Sequence, residues 1–493
     1  MPCFNESKAE LTKSLNSLVN QRHEQNDKRA ILIICDGIQE CTGTSTSTNT
    51  NTSKVLSTDK VLSTDKVLRQ ILHISSTDIA NYFSYETWDQ KKNVLMVFTG
   101  MYADTGMYAD TGMYADTGMY CAVPFILFIK FINYGKRDSL VLARRLCYDY
   151  NIASEASSEG TSEAAPSEAA PSEAAPSEAA PSEAAPSVAA PSGASTEDEL
   201  SVFMRQTCQS IFGKKIDYII GIDADTRFDY NCSYELIQGL AADKDIHGCV
   251  GYVDIAPEMN KFSPFVLYQY AEYMFAQCLK RYAQSNLTQK VSCLSGCVQI
   301  LRVSEETCGE LILKKFNYLP QAGESIFNHI RSYASEDRNH VCQMLSLYPH
   351  VKTTQNLKAV AYTVVPTSVR VFLSQRRRWS LGANTNDLLL VYLPHINWCE
   401  RIAAIVNVGT FCMTPFIFIA TVEFIKALIN QPTMLMLYMS TIMIIPAGYA
   451  VLVPIFIKPL AFRQAMYYYL SLIFFTCAGS IVNLVIYIYA LLG

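Results

Sequence analysis

Five short acidic and basic groups in this chain have spacings that suit chemistry. Asp36-Gly37 follows the apolar run at residues 30–35, and Asp223-Ala224-Asp225 follows the run at residues 216–222. An Asp-x-Asp at a strand end sets carboxylate oxygens where a hard divalent cation and a diphosphate can meet. The same acids can also cap the helix that follows. Gly135-Lys136-Arg137-Asp138-Ser139 puts two adjacent cations behind a glycine, which fits either a phosphate cradle or a solvated turn. Glu336-Asp337-Arg338 pairs a carboxylate with a guanidinium, either as a plain ion pair or as a general base kept ionised by its neighbour. Finally, Gln375-Arg376-Arg377-Arg378-Trp379 offers a flat stacking surface and an amide suited to a sugar. Its arginines and Trp379 equally suit the cytosolic flank of a membrane span.

Strands and helices must position these groups. Ile- and Val-rich runs at residues 30–35, 94–98, 123–128 and 216–222 alternate with helical stretches, which predicts an α/β sheet covered on both faces. Ligands in such sheets sit at the carboxyl ends of the strands, where Asp36 and Asp223 stand. Tandem copies interrupt this pattern: Ser-Thr-Asp-Lys-Val-Leu near 57–68, Met-Tyr-Ala-Asp-Thr-Gly over 101–118, and Ser-Glu-Ala-Ala-Pro pentads from about 162. Periods of five or six residues are too short for a solenoid unit. They predict insertions of about 41–68, 101–118 and 152–197 in surface loops.

The C-terminal part differs in composition. Three apolar stretches, about 402–422, 433–457 and 466–492, each reach the roughly 20 residues that cross a bilayer as a helix. Arg376, Arg377, Arg378 and Arg401 precede the first, and Lys458 and Arg463 separate the second from the third, while Lys426 is alone in the opposite loop. The soluble part is therefore expected on the cytosolic side. The mixed stretch 381–401 reads as an amphipathic segment lying at the interface, which leaves 1–380 as the cytosolic domain. The net charge of −5 excludes a general nucleic-acid binder. The 16 cysteines show no CxxC spacing and read as reduced thiols facing the cytosol. No signal peptide is expected at Met1-Pro2-Cys3-Phe4-Asn5-Glu6, and the sequons at Asn5, Asn51, Asn231 and Asn286 are expected to stay unmodified.

Taken in order, Asp223-Ala224-Asp225, Gln269-x-x-Glu272-Tyr273, Cys293-Leu294-Ser295-Gly296-Cys297, Glu336-Asp337-Arg338 and Gln375-Arg376-Arg377-Arg378-Trp379 resemble the chitin synthase family. Pro2-Cys3-Phe4-Asn5-Glu6, Ile34-Cys35-Asp36-Gly37 and Gly135-Lys136-Arg137-Asp138-Ser139 extend the likeness to the N-terminal half. The resemblance implies a GT-A-like mixed sheet with helices on both faces, then an interfacial helix and a bundle of three transmembrane helices. It implies processive, inverting transfer of N-acetylglucosamine from UDP-N-acetylglucosamine to the 4-hydroxyl of a growing β-1,4 chain, exported across the membrane.

By motif, Asp225 and Asp223 would hold Mg2+ or Mn2+ on the diphosphate, Glu6 and Asp36 would contact uridine, and Lys136 would lie near the nucleotide. Asp337 would be the general base, flanked by Glu336 and Arg338 in the substrate shell. Gln375 and Trp379 would hold the acceptor end at a channel mouth, with Arg378 of the same motif counted as catalytic. Gln269, Glu272 and Tyr273 resemble the surrounding donor and acceptor shell.

The implied partners are UDP-N-acetylglucosamine, the nascent chitin chain, a lipid bilayer, expected to be the plasma membrane crossed several times, and a second copy of the chain; nucleic acid is not among them. Two departures stand out: Ser335 where the family has Gly, and Ser295 where it has Pro. A strand ahead of Pro2 and the N-terminal spans of relatives are also expected and not met in this sequence. Another processive β-glycan synthase, or a truncated non-catalytic partner of a full-length synthase, are the competing readings.

Overall fold

The computed structural model describes residues 1–24, 27–38, 63–75, 78–104, 122–159, 198–430 and 434–492. Instead of one sheet it contains two five-stranded mixed sheets. The first is built from β1 (Pro2–Cys3), β2 (Ile31–Cys35), β3 (Asn81–Glu86), β4 (Lys92–Tyr102) and β5 (Val123–Lys130), in the order β1-β2-β5-β4-β3. Strands β1, β2 and β5 run parallel, whereas β4 and β3 are antiparallel. Pro2 is tolerated because it opens an edge strand, where its missing N–H breaks no ladder.

Side chains alternate across a strand, and here both faces are apolar. Ile33 and Cys35 with Leu127 and Ile129 pack under α1 (Lys8–Val19) and α2 (Thr64–Ile71). Ile34 with Ile126 and Phe128 packs under α3 (Gly135–Glu159) and α4 (Glu199–Ile211). Helix α1 starts at a capping box in which Ser7 and Glu10 satisfy each other's free amides.

Most of the expected insertions at about 41–68, 101–118 and 152–197 lies outside the described residues. The copies at their edges are not surface loop. Residues 63–68 enter α2 and place Val67 and Leu68 in the core. Met101 and Tyr102 finish β4, Tyr102 buried, and Asp104 accepts hydrogen bonds from Asn16 (2.9 Å) and Asn20 (2.7 Å). Residues 152–159 continue α3. The copy at 63–68 and the first residues of the copy at 101 thus belong to the fold, anchored by buried Val67, Leu68 and Tyr102.

The second sheet comprises β6 (Tyr218–Gly221), β7 (Arg227–Phe228), β8 (Ile246–Ile255), β9 (Gln299–Arg302) and β10 (Lys352–Thr363), in the order β6-β9-β8-β10-β7. Only β8 and β10 are parallel. Helix α5 (Cys232–Ala241) covers one face through Leu236 and Leu240, and α6 (Pro264–Phe275) covers the other through Val266, Tyr270 and Met274. After β9 come α7 (Glu305–Cys308), α8 (Glu310–Phe316), α9 (Ile326–Tyr333) and α10 (Glu336–Leu347).

The C-terminal helices are α11 (Val369–Tyr392), α12 (Trp398–Cys412), α13 (Thr414–Asn430), α14 (Met434–Phe456) and α15 (Phe462–Leu492). Three expectations change here. The boundary at 380/381 falls inside α11, so 381–392 is no separate interfacial segment; Gly382, Thr385, Asn386 and Asp387 are buried against the domain. The expected span 402–422 is broken between α12 and α13 by a 70° bend. Pro415 is the cause, since proline removes an amide, clashes with the carbonyl four residues back and suits the first turn of a new helix. Among the described residues, α15 alone is long and apolar enough to cross a membrane, and the bent pair makes a second crossing only if it counts as one span. Of α14, residues Ile444–Phe456 form a shorter apolar helix. Among the described residues one helix, or two with the bent pair, thus meets the length and apolarity of a span, where three were expected.

Candidate active site

The two sheets meet at the carboxyl end of β6. Asp223 leaves that strand, and the Nζ of Lys136, on the first turn of α3, lies 2.6 Å from its Oδ1. The same ammonium lies 3.6 Å from Glu336 Oε1 at the start of α10. Burial alone would depress Lys136, but Asp223, Asp337 and Glu336 around it hold it well above the ordinary lysine value, hence charged.

Asp337 stands behind this lysine. Its Oδ2 accepts a hydrogen bond from the Gly296 amide at 2.8 Å, whereas its buried Oδ1 has no partner. Burial pushes its carboxyl up to about 6; the charges of Glu336 and Asp223 add to the rise, and Lys136 and the Gly296 amide oppose it. A carboxylate with one oriented oxygen and one free oxygen, titrating near neutrality, is suited to accept a proton. The approach is tight, since a Cβ on Gly296 would lie 2.7 Å from both Asp337 oxygens. The preceding Ser335 is left-handed (φ 53°), which accounts for a glycine preference at this place.

The nucleotide-side residues divide. Glu6 joins Asp225: burial, with the nearby Asp225 charge adding, pushes it up to about 7 against hydrogen bonds from its own amide and that of Phe4. Asp225 is itself raised, first by water stripped away in the cleft and then by the like charge of Asp223. Two crowded carboxylates of this kind are a donor set that a divalent cation relieves, with a diphosphate supplying the other oxygens. Asp36, by contrast, is buried in an ion network. It pairs with Lys130 and accepts from the Ser139 hydroxyl at 2.9 Å; Lys130 also meets Asp138 at 2.8 Å, and Tyr85 donates to Asp138 at 2.6 Å.

On the other side of the cleft the hub is Arg376, 3 % exposed on α11. Its Nε reaches both oxygens of Glu272 (3.0 and 3.1 Å), and its terminal nitrogens donate to Gln375 Oε1 (2.6 Å) and Gln269 Oε1 (3.2 Å). The guanidinium lies 4.3 Å from the Trp379 ring centre and 4.7 Å from that of Phe372. Tyr273 completes the wall, its ring 6.2 Å from that of Trp379. Gln269 is fully buried, with its amide nitrogen donating to the carbonyls of Phe265 and Pro366. Arg378 is exposed and stands outside this network.

Arg338 does not guard Asp337. Adjacent helical residues do not face each other, and its guanidinium pairs instead with buried Asp387 of α11, which also accepts from Asn407 at 3.0 Å. Asn339 donates to Asn386 at 3.0 Å alongside. Three participants therefore escape a reading of motifs: Arg376 as the hub, the Gly296 amide and Asp387. Only the Gln-x-x-Glu spacing, which sets Gln269 and Glu272 on one face of α6, hints that a cation must stand opposite.

Together these features define a mixed α/β domain with a carboxylate-lined cleft, built against apolar helices. The chitin synthase family profile matches residues 196–492. A protein named chitin synthase 8 from Gibberella zeae is 30% identical over 425 residues, covering 86% of this chain and 53% of that protein. The chitin synthase 8 of Verticillium dahliae is 29% identical over 454 residues, covering 87% of this chain and 63% of its own length. The chitin synthase 4 of Cryptococcus neoformans var. grubii is 29% identical over 184 residues, or 36% of this chain and 14% of its own. The chain belongs to the chitin synthase family and spans about half to two thirds of the length of the first two relatives.

Proposed function

We propose that this chain carries the catalytic centre of a chitin synthase, moving N-acetylglucosamine from UDP-N-acetylglucosamine to the 4-hydroxyl at the end of a growing β-1,4 chain. The observation that carries this is the orphan oxygen of Asp337, held beside the Lys136–Asp223 pair by the Gly296 amide. Asp337 takes the acceptor proton as the hydroxyl attacks, and a single displacement inverts the anomeric centre. Lys136 faces the diphosphate, and Glu6 lines the nucleoside side. Asp223 and Asp225 would hold Mg2+ or Mn2+, which supplies neutralisation of the charge gathering on the leaving group. Trp379 and Tyr273 give the acceptor sugar a stacking wall that Arg376 keeps in place. The apolar helices would set this cleft on the cytosolic face of the plasma membrane, with the polymer leaving between them through several crossings.

The test uses membranes containing the full chain and radiolabelled UDP-N-acetylglucosamine. Metal-dependent formation of polymer that chitinase digests is expected, together with its loss in Asp337→Asn. Polymer resistant to chitinase would point to another β-glycan, and incorporation that survives Asp337→Asn would remove the assigned base.

A further inference from the structure

A second polar cluster lies at the opposite end of the second sheet and takes no part in the proposed reaction. Strand β9 runs antiparallel to β6, with Gly221 opposite Gln299 and Tyr218 opposite Arg302. Asp223, which follows β6, therefore lies beyond the start of β9, while Glu306, which follows β9, lies beyond its end. His247 opens β8 at that same end, where Gly248 pairs with Leu301. His350 arrives from the turn ahead of β10.

Glu306 divides its carboxylate between the two imidazoles. Its Oε2 lies 3.3 Å from His247 Nε2, and its Oε1 lies 3.2 Å from His350 Nε2. One atom from each residue can be chosen so that all three lie within 4.8 Å of one another. A tetrahedral ion with bonds of about 2.0–2.1 Å sets its ligand atoms about 3.3 Å apart, the spacing that each imidazole nitrogen already keeps from the carboxylate oxygen nearest to it. For one oxygen of Glu306 to serve both imidazoles the three ligand atoms must draw in from separations of up to 4.8 Å, a movement open to the exposed His350 side chain. The supporting contact also fits: His247 Nδ1 lies 2.8 Å from the backbone carbonyl of Asp245. A proton on Nδ1 shared with that carbonyl leaves Nε2 with its lone pair toward Glu306, the usual arrangement of a metal-bound imidazole. His247 is nearly buried, whereas the His350 side chain is 55% exposed, giving an ion an entry path and room for a water as fourth ligand.

We propose that His247, Glu306 and His350 form a site for one divalent transition-metal ion of the zinc type, joining the start of β8, α7 and the turn before β10. Two imidazoles and one carboxylate suit zinc and exclude magnesium, which prefers an all-oxygen shell. The site is thus chemically separable from the Asp223–Asp225 pair. Its consequence is mechanical: three segments converging on the far edge of the sheet are clamped when the ion is bound.

The experiment uses the full chain purified in detergent, stripped with a chelator and titrated with Zn2+ in excess Mg2+. Wild type is expected to take up one equivalent that Mg2+ does not displace, with a rise in its thermal midpoint. Loss of a supporting hydrogen bond alone weakens metal binding roughly 10–100-fold, so loss of a ligand is expected to weaken it at least about 100-fold. His350→Ala, Glu306→Gln and the nearly isosteric His247→Gln should each lose that equivalent and the thermal response. Far-ultraviolet circular dichroism shows whether each variant is folded. Zinc uptake equal in wild type and all folded variants, through cysteines or elsewhere, would overturn the proposal. So would absence of uptake by wild type, which would leave the cluster as two imidazoles in polar contact with a carboxylate.

Discussion

Replacing Asp337 by Asn separates catalysis from stability in opposite directions. The folded carboxyl titrates at about 6, against an ordinary value of 3.8. Each tenfold change in proton affinity corresponds to about 1.4 kcal/mol, so keeping Asp337 ionised costs the folded protein up to about 3 kcal/mol. Because the folded value is raised, Asp337 contributes stability below pH 4 that is lost as pH climbs through 6. The amide introduced by Asp337→Asn would keep an acceptor for the Gly296 N–H and carry no charge. It also forgoes the attraction of Lys136, which retains Asp223 and Glu336, so the expected net gain is about 1–2 kcal/mol at pH 8. That gain should shrink toward zero by about pH 4. Polymer synthesis should fall about 10²–10⁴-fold, the usual worth of a positioned base. In the wild type the same group makes synthesis decline as pH drops through about 6. The assays are thermal unfolding in detergent at a series of pH values and radiolabel incorporation at each. A variant less stable than wild type at pH 8, or one whose deficit is the same at every pH, would refute a desolvated carboxylate at this position.

Removing Arg376 should be severe, since Arg376→Ala leaves Glu272 without its partner; about 3–5 kcal/mol of stability is expected to go. Arg376→Lys should restore the charge and not the fork, giving a folded protein with weakened acceptor binding, measured as a raised requirement for oligosaccharide primer. Gly296→Ala would drive a Cβ to 2.7 Å from both Asp337 oxygens. Synthesis should drop strongly while UDP affinity, read by calorimetry, stays within about twofold, since Glu6 on the proposed nucleoside side is untouched. Ser335→Gly should raise stability by about 1 kcal/mol by relieving a left-handed serine, seen as a higher thermal midpoint with synthesis preserved.

How much of the fold and site is legible in the sequence depends on whether a local pattern decides the outcome. Acids after apolar strand runs mark the Asp223 end of β6 because strand polarity fixes where loops gather. The family motifs name Asp337 and the α11 pentapeptide for the same local reason. Which arginine of that pentapeptide turns inward is a different question. It depends on α6 presenting Glu272 and Gln269 across the cleft, and helix facing is set by tertiary packing rather than by composition. Arg338 misleads because adjacency in sequence is not adjacency in space: a helix sends neighbouring side chains about 100° apart. The broken first span follows from Pro415, a signal that apolar length alone conceals. His247, Glu306 and His350 carry no spacing motif at all, and it is the pairing of β8 with β9 on one side and β10 on the other that brings them together.

Helix α11 gives these separate observations one mechanical sense. Its first half carries Arg376 and Trp379, the wall proposed for the acceptor, and Phe372, which packs with Tyr268 of α6 and Ile486 of α15. One turn after Trp379, Gly382 seats so closely on Ser335 that a Cβ there would fall 2.0 Å from its hydroxyl, and Ser335 leads directly into Asp337. Further along, Asp387 and Asn386 bolt the same helix to Arg338 and Asn339 of α10. A helix of 24 residues is stiff over this length, so the carboxylate proposed as base and the aromatic wall cannot shift independently of α15. Buried polar pairs add little net stability compared with apolar packing, but they fix register. At the α10–α11 contact the register they fix sets the distance between the group proposed to accept the proton and the surface proposed to hold the sugar. Any motion of the apolar helices during export of a polymer would reach the reacting centre through this helix and through α6, which packs on α15 by Tyr268 and Tyr270.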